Sequence, residues 1–176
     1  MNSKFKWLIK NSIIIDATVA RVWEVISQPG NLNLCHPFCK ENMVKNWSGK
    51  DSADRIIYFN GLELERNFIE WEIEKGYKLM IGKKEEEEKT ETHWEIKKLK
   101  EVGEREKALV LISLKMPNLQ RIPVILRWIP HFLYLEPKMK KYLNSVLKGF
   151  EYYIRTGKTV ERNQFGAHSL FSPKVT

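Results

Sequence analysis

The sequence is poor in cysteine and contains no long apolar run. Cys35 and Cys39 are the only cysteines among 176 residues, too few for the disulfide framework of a small secreted domain. No stretch of about 18 apolar residues occurs, which is the length that a membrane-spanning helix needs. Residues 1–15 lack an uninterrupted apolar core and a small-residue cleavage site, so they do not resemble a signal peptide. We therefore expect a cytoplasmic protein.

Motifs of catalysis and metal binding are missing as well. There is no G-x-S-x-G elbow, Walker loop or Rossmann fingerprint, and no nucleophile–base pair is evident. The segment CHPFC brings Cys35, His36 and Cys39 close together, but it lacks the C-x-x-C spacing and the second ligand pair of a tetrahedral zinc site. We predict no metal, no cofactor and no assignable catalytic residue, and the sequence leaves open whether the protein is an enzyme.

The sequence does contain enough apolar material for one sizeable core. Hydrophobic residues make up 43% of the chain and charged residues 30%, a balance typical of a globular domain. The length fits one domain, and no repeat, linker or low-complexity segment divides the chain. We therefore predict a single domain over residues 1–176.

Positive charge is concentrated towards the carboxyl-terminal end. The formal net charge is +8, and residues 115–176 hold 11 lysines and arginines against 3 acidic residues. This asymmetry favours an anionic partner, although a solvated basic helix face explains it equally well. Nucleic acid is disfavoured, because the aromatic residues fall on predicted core faces and the lysines on solvent faces, so that the two do not share one surface.

Local patterns near the amino terminus predict a strand followed by a short helix. Residues 4–15 show the alternation of a strand. Asp16 or Thr18 can cap a helix over residues 17–27, which the Pro29-Gly30 pair ends.

The middle of the chain predicts a series of antiparallel hairpins. Asn60 and Gly61 separate two alternating apolar runs, a pattern that favours a hairpin with a type I′ turn. The apolar phase changes after Phe68, which indicates a β-bulge that bends the sheet. On the last two strands, the even-numbered residues from Trp94 to Met116 form the apolar face.

Residues 138–156 give the clearest helical pattern, with Gly157 placed as the carboxyl-terminal cap. At 100° per residue the apolar side chains fall on one arc, and a wide stripe on a long helix needs a sheet beneath it. The stripe consists of Met139, Tyr142, Leu143, Val146, Leu147, Phe150, Tyr153 and Ile154.

The order of strand, short helix, six-strand antiparallel run and long helix resembles that of the START-like superfamily, also called SRPBCC, which includes the polyketide cyclase/dehydrase proteins. The opening IIIDATVARVWEVISQPGNL and the segments CHPFCKENMVKNWSG, YFNGLELERNFIEW, GYKLMIG, YLNSVLKGFEYYIRTGK and RNQFGAHSLFS carry the resemblance over roughly residues 5–171. It implies an α+β helix-grip fold, in which a curved antiparallel sheet wraps around the long carboxyl-terminal helix and leaves an apolar ligand cavity between them.

Two residues suggest independently that the space between helix and sheet is not filled. Gly149 lies inside the helix, where glycine costs about 1 kcal/mol relative to alanine, so its missing side chain leaves room for a ligand or for a closely packed neighbour. Arg66 lies in the apolar phase of its strand. A buried arginine needs a partner, and a ligand anion, a structural pair with a glutamate or solvent reached through the bulge would each serve.

We predict a ligand site that combines apolar walls with a few orienting polar groups, with His36 at the rim of the cavity. The polar groups are expected from Arg66, Tyr142 and His36. The predicted ligand-binding residues are His36, Arg66, Trp71, Trp94, Tyr142, Val146, Gly149, Phe150 and Tyr153.

An apolar insertion at about residues 117–137 separates the last strand from the long helix. Its central part, IPVILRWIPHFLYL at 122–135, has ten apolar residues among 14. It could extend the core across the cavity mouth, form a mobile lid, build a dimer interface or contact a membrane surface. The predicted lid or gate residues are Trp128, His131 and Phe132, and a tail over residues 158–176 follows the helix.

The leading functional hypothesis is a binding protein for a lipid-like, aromatic or polyketide-like small molecule. The first alternative is an enzyme of the cyclase/aromatase type, in which a polar residue of the cavity moves a proton. The second is a module that docks on a membrane or a protein partner through the insertion and the basic helix. The ligand's identity and the oligomeric state are not predictable from these patterns.

Overall fold

A seven-stranded antiparallel sheet and a long helix dominate the structure, a computed structural model that describes residues 7–99, 106–117 and 131–173. The strand order is β1-β7-β6-β5-β4-β3-β2. The strands are β1 (Trp7–Ile15), β2 (Cys39–Asn46), β3 (Ala53–Tyr58), β4 (Glu63–Glu72), β5 (Gly76–Gly82), β6 (Thr90–Leu99) and β7 (Lys107–Met116). The helices are α1 (Val19–Ser27), α2 (Leu32–Cys35) and α3 (Glu136–Thr156), with a π-helical turn (His131–Leu135) leading into α3.

The predicted strand, short helix and six-strand run are confirmed, and β1 pairs with β7 to complete the sheet. Residues 4–6 of the predicted first strand lie outside the described part of the chain. The curved sheet packs around α3, which also contacts α1 and α2. This is the predicted α+β helix-grip architecture.

Helix α1 begins after Thr18, which is the one of the two candidate caps that the structure uses. Its hydroxyl oxygen accepts a hydrogen bond from the Arg21 backbone N–H at 3.1 Å, satisfying one of the free donors of the first turn. The helix buries Val22 and Ile26 and ends at Ser27, just before the Pro29-Gly30 pair, as predicted.

The hairpin at Asn60-Gly61 is confirmed, but the predicted type I′ turn is wrong. Only Gly61 of the pair has a positive φ, +85°. Gly61 N–H donates to the Tyr58 carbonyl at 2.9 Å, and Tyr58 N–H donates to the Leu62 carbonyl at 2.8 Å. This is a three-residue loop with a left-handed glycine at its end, one residue longer than the type I′ turn would give.

The predicted bulge in β4 is confirmed. The pairing of β4 with β5 shifts register between Phe68 and Glu70. Phe68 stays in the core, whereas Ile69 is 39% exposed and Ile73, in the turn beyond the strand, is 72% exposed. The extra residue therefore bends the strand without burying every apolar side chain that follows it.

Helix α3 begins two residues before the prediction and ends at Thr156. Gly157, at φ +69°, donates its N–H to the Tyr153 carbonyl at 2.8 Å as the predicted cap. Six members of the predicted stripe are buried, and Tyr142 and Tyr153 are partly buried against the core. The buried six are Met139, Leu143, Val146, Leu147, Phe150 and Ile154.

The chain after α3 returns across the end of the fold that carries α2 and the β3–β4 loop. Val160 N–H donates to the Leu34 carbonyl at 2.9 Å, and Asn60 Nδ2 donates to the Leu170 carbonyl at 2.7 Å. Phe171 is buried. The tail is thus part of the folded structure up to residue 173.

The long helix is amphipathic, with charged residues on its exposed face, and it packs against the sheet. No helix in the described ranges is both long and apolar enough to cross a bilayer.

Candidate ligand-binding cavity

A cavity of about 400 Å³ lies between the sheet and α3. Its walls are mostly apolar, and its volume falls within the range of small-molecule sites, about 300–1,000 Å³. Side chains of the inner sheet face and of the helix stripe meet there because both elements turn their apolar sides to the same space. The principal apolar walls are Leu79, Trp94, Ile112, Leu114, Met139 and Val146.

Three polar side chains on the cavity wall form one hydrogen-bonded chain. The His36 Nε2 atom lies 3.0 Å from the Tyr142 hydroxyl, which lies 2.9 Å from the Tyr58 hydroxyl. The Phe38 backbone N–H donates to His36 Nδ1 at 3.2 Å. Because Nδ1 accepts, the neutral imidazole carries its proton on Nε2 and donates it to Tyr142.

All three members of this chain are uncharged near neutral pH. Burial, with the positive charge of Arg66 adding to it, lowers the pKa of His36 to about 3. Burial raises the pKa of Tyr58 to about 12 and also raises the pKa of Tyr142. Removing such groups from water disfavours their charged forms, so the chain is a neutral hydrogen-bonding surface.

Arg66 is buried beside the same chain and is paired with Asp54. The guanidinium donates from Nε to Asp54 Oδ1 at 2.7 Å, and its Nη2 binds Asp54 Oδ2. Burial alone would lower the pKa of Arg66, but the Asp54 carboxylate raises it above its ordinary value. Arg66 therefore keeps its charge and already has a structural acidic partner. Of the partners that the sequence left open for Arg66, the structure contains an acidic side chain.

The structure brings five of the nine predicted ligand-binding residues to the cavity. His36, Arg66, Trp94, Tyr142 and Val146 line it. His36 is only 5% exposed, so it lies inside the protein and not at the rim. The other four, which do not line the cavity, are Trp71, Gly149, Phe150 and Tyr153.

Gly149 faces backbone and not the cavity. A Cβ built on it would overlap the Cys35 carbonyl oxygen and crowd Pro37. The glycine is therefore required for the close approach of α3 to the end of α2. Of the two interpretations of Gly149, the closely packed neighbour is the one that the structure contains.

Phe150 and Trp71 belong to the packing around the cavity. Phe150 is completely buried and meets Trp94 edge to face, with ring centroids 4.8 Å apart. Trp71 stacks on Tyr77 at 5.6 Å and packs against Trp23 and Trp47. Trp71 thus lies in an aromatic cluster that includes Trp23 of α1, and it does not line the cavity.

The predicted lid residues are only partly covered by the structure. Trp128 lies outside the described residues, as do the side chains of His131 and Phe132. The turn that contains positions 131 and 132 leads directly into α3, and Leu135 at its end lines the cavity. The insertion therefore reaches the cavity at its carboxyl-terminal end.

Sequence patterns missed four residues that shape the site: Asp54, Tyr58, Leu170 and Phe171. The first two share a signal, because Asp54, Ile56 and Tyr58 alternate in the buried phase of β3. An acidic residue in that phase is the expected partner of a buried arginine on a neighbouring strand. The tail residues Leu170 and Phe171, which line the cavity, follow no strand or helix period, so no pattern identifies them.

No group of three or more metal-ligating side chains occurs among the described residues. Cys35 and Cys39 are buried as free thiols. Burial raises the pKa of Cys39 to about 12 and raises that of Cys35 as well, so both remain protonated and unreactive near neutral pH.

The fold is shared with solved structures of low sequence identity. DynU16, a protein of the dynemicin biosynthetic locus, superposes with a TM-score of 0.62 at 13% identity over 86% of this chain, which spans about half (48%) of DynU16. Norcoclaurine synthase from Thalictrum flavum, solved with dopamine and hydroxybenzaldehyde, gives 0.60 at 13% identity over 88% of this chain and 89% of its own. The Aha1 dimer from Colwellia psychrerythraea gives 0.60 at 13% identity over 86% and 98%.

No family model matches the chain, and no curated protein matches its sequence. The structural matches establish that the chain has the helix-grip fold. Since unrelated functions share one fold, the function must be argued from the cavity itself.

Proposed function

We propose that this protein binds an apolar small molecule, lipid-like or aromatic, in the cavity between the sheet and α3. The observation that carries the proposal is the apolar-walled space of about 400 Å³ with a small polar group of side chains on its wall. Apolar walls supply affinity, and the few polar groups orient the ligand. Norcoclaurine synthase, solved with two aromatic molecules, supports the view that this fold can enclose such ligands.

Binding is favoured over proton-transfer catalysis by the acid–base properties of the cavity wall. A general acid or base works best with a pKa near the working pH. His36, with a pKa of about 3, is a weak base, and Tyr58, with a pKa of about 12, is a weak acid. The cyclase/aromatase alternative would need a proton-transfer group better matched to neutral pH.

The proposal is tested on the freshly purified protein in two ways. Native mass spectrometry and solvent extraction would identify a co-purifying small molecule. Titration with the uncharged dye N-phenyl-1-naphthylamine would report an accessible apolar cavity through increased fluorescence. We expect the dye to bind at one saturable site and any extracted molecule to compete with it. Absence of both a bound molecule and saturable dye binding would contradict the proposal.

Peripheral contact with an anionic membrane is a second candidate, favoured by exposed apolar side chains next to the basic start of α3. Leu133 and Tyr134 are 75% and 55% exposed, and Lys138 lies over the Tyr134 ring at 3.6 Å. Lys141 is also exposed. Apolar insertion and attraction to anionic lipid reinforce each other, at about 1 kcal/mol per basic residue near the surface.

Sedimentation with phosphatidylserine-containing vesicles tests this second candidate. Binding should rise with the anionic lipid content, fall with salt and weaken in Leu133→Asp. The matched control is Ile73→Asp, because Ile73 is 72% exposed in the turn between β4 and β5. Protein that stays in the supernatant at every lipid composition and at low salt would overturn it.

A further inference from the structure

The hydrogen-bonded chain of His36, Tyr142 and Tyr58 contains one more donor hydrogen than it can use internally. His36 Nε2 and the two hydroxyls supply three hydrogens, whereas the chain has two links, each of which uses one. The direction of the first link is fixed, because the Phe38 N–H occupies His36 Nδ1. Whichever tyrosine donates in the second link, one hydroxyl hydrogen remains without a partner in the chain.

Both tyrosines line the cavity, so this remaining hydrogen is available to a molecule inside it. Arg66 lines the cavity as well. Its Nε and Nη2 atoms bind Asp54. The tyrosine chain therefore offers the cavity a donor hydrogen that it does not use itself, and an acceptor atom on the ligand would satisfy it.

The same wall carries no net positive charge. Asp54 is completely buried and neutralises Arg66 at hydrogen-bonding distance, and the His36 ring is neutral. Glu86, in the loop between β5 and β6, is a further acidic residue that lines the cavity. A carboxylate or phosphate that entered would lose its hydration without gaining an uncompensated cation, which costs several kcal/mol.

Building on the proposed function, we propose that the cavity selects uncharged molecules with a hydrogen-bond acceptor, in particular ketones and aldehydes on an apolar skeleton. Carboxylates are rejected by the charge balance of the Asp54–Arg66 pair. Pure hydrocarbons bind less tightly, because they leave the buried donors of the tyrosine chain unpaired. The selectivity is thus for a neutral carbonyl oxygen, and it distinguishes this cavity from one that binds fatty acids through a cationic side chain.

Three ligands that share one aromatic skeleton test the selectivity: 2-acetylnaphthalene, 2-ethylnaphthalene and 2-naphthoate. Their affinities are measured at pH 7 by competition with N-phenyl-1-naphthylamine. We expect the ketone to bind about two- to tenfold more tightly than the hydrocarbon, the range that one additional well-made hydrogen bond gives. We expect it to bind at least thirtyfold more tightly than the carboxylate.

The pH dependence of naphthoate binding shows, without any substitution, whether the ligand's charge or its shape causes the rejection. Carboxyl groups of this kind titrate near pH 4, so the neutral form of naphthoic acid increases about tenfold for each unit that the pH falls from 7 to 5. If only this form enters, the apparent affinity for naphthoate rises by the same factor while the ketone affinity stays flat. Equal affinity for naphthoate at pH 7 and pH 5 would overturn the inference.

Asp54→Asn tests the source of the charge balance. It leaves Arg66 charged without its acidic partner, so the preference for ketone over carboxylate should shrink at least tenfold. The matched control is Asp51→Asn, an exposed carboxylate next to β3, which should leave the preference unchanged. A folded Asp54→Asn protein that still rejects the carboxylate as strongly as the wild type contradicts the inference; if this variant does not fold, the wild-type pH profile decides.

Failure of this inference differs from failure of the proposed function. If the ketone, the hydrocarbon and the carboxylate all displace the dye equally, the cavity is a general apolar site and the proposed selectivity is refuted. If the dye and all three ligands fail to bind, the proposed function itself is refuted, and the selectivity falls with it.

Discussion

Asp54 and Arg66 lie directly opposite each other on β3 and β4, and their side chains pair inside the protein beside the cavity. The Asp54 side chain is completely inaccessible to solvent, and that of Arg66 is 5% exposed. The pair joins the β3–β4 hairpin to the polar wall of the site, so it acts in both the stability and the electrostatics of the fold. It does so without requiring a ligand, because each charge already has its partner.

The energetic role of this pair predicts an asymmetry between single and double substitution. Arg66→Leu leaves the Asp54 carboxylate buried without a positive partner and should lower the free energy of unfolding by about 3–5 kcal/mol. Arg66→Leu combined with Asp54→Leu removes both charges and should recover most of that loss. Urea denaturation of the three proteins measures this difference. A double variant no more stable than the single one would show that the charges do not stabilise each other.

Tyr77→Phe should leave stability unchanged or raise it by up to about 1 kcal/mol. The Tyr77 hydroxyl is buried with no hydrogen-bond partner among the described residues, and such an unsatisfied group costs free energy that its removal restores. Tyr58→Phe is the matched control, because it deletes a buried hydroxyl that is bonded to Tyr142 and should destabilise by about 1 kcal/mol. Thermal and urea unfolding of both variants give the comparison, and a loss of stability in Tyr77→Phe would be the opposite of the expected sign.

Gly149→Ala should destabilise the protein by about 1–3 kcal/mol, the usual cost of overpacking. In an isolated helix the same change would stabilise by about 1 kcal/mol. The sign is reversed here because the added methyl group would overlap the Cys35 backbone carbonyl, which cannot move without shifting α2. Dye affinity of the folded fraction should be retained, since Gly149 lies outside the cavity wall. A stabilised Gly149→Ala protein would mean that α3 and α2 are farther apart.

The burial of His36 predicts that stability falls with acid. Its pKa is lowered to about 3 by burial and by Arg66, against about 6.5 in an unfolded chain. Between these values the unfolded state binds more protons, so the free energy of unfolding decreases as the pH falls, by up to about 1.4 kcal/mol per unit. The difference in unfolding free energy between wild type and His36→Gln, measured from pH 7 to pH 5, should show this slope. Parallel pH profiles for the two proteins would mean that His36 is accessible and protonates freely.

Sequence periodicity predicted the strands and helices well, because the spacing of apolar residues follows directly from which face of each element is buried. The bulge at Phe68 and the faces of β6 and β7 follow from the same rule. Register is a finer property, set by the loop between strands. A two-residue turn at Asn60-Gly61 would have placed Asp54 opposite Asn67, whereas the observed three-residue loop pairs Ala53 with Asn67 and Asp54 with Arg66.

The candidate site was only half predictable for a related reason. Arg66, Trp94, Tyr142 and Val146 were reached because they lie on strand or helix faces that periodicity turns inward. His36 was placed from the loop after α2, and it lies deeper than the predicted rim. Gly149 and Trp71 were misplaced because periodicity predicts that a residue is buried but not which neighbour it meets. Gly149 meets the end of α2, and Trp71 meets Trp23 of α1. The closing residues Leu170 and Phe171 come from the irregular tail, where no period applies.

The most direct test of the central claim is to fill the cavity from α3. Val146 lines the cavity, and Val146→Trp should occupy part of the space that the ligand needs. Lys148→Trp is the matched control, because it adds the same side chain two residues farther along, on the exposed face of the helix. We predict that Val146→Trp weakens N-phenyl-1-naphthylamine binding at least tenfold and that Lys148→Trp leaves it within a factor of two of the wild type. Equal dye affinity in folded Val146→Trp and Lys148→Trp proteins would contradict a ligand site between the sheet and α3.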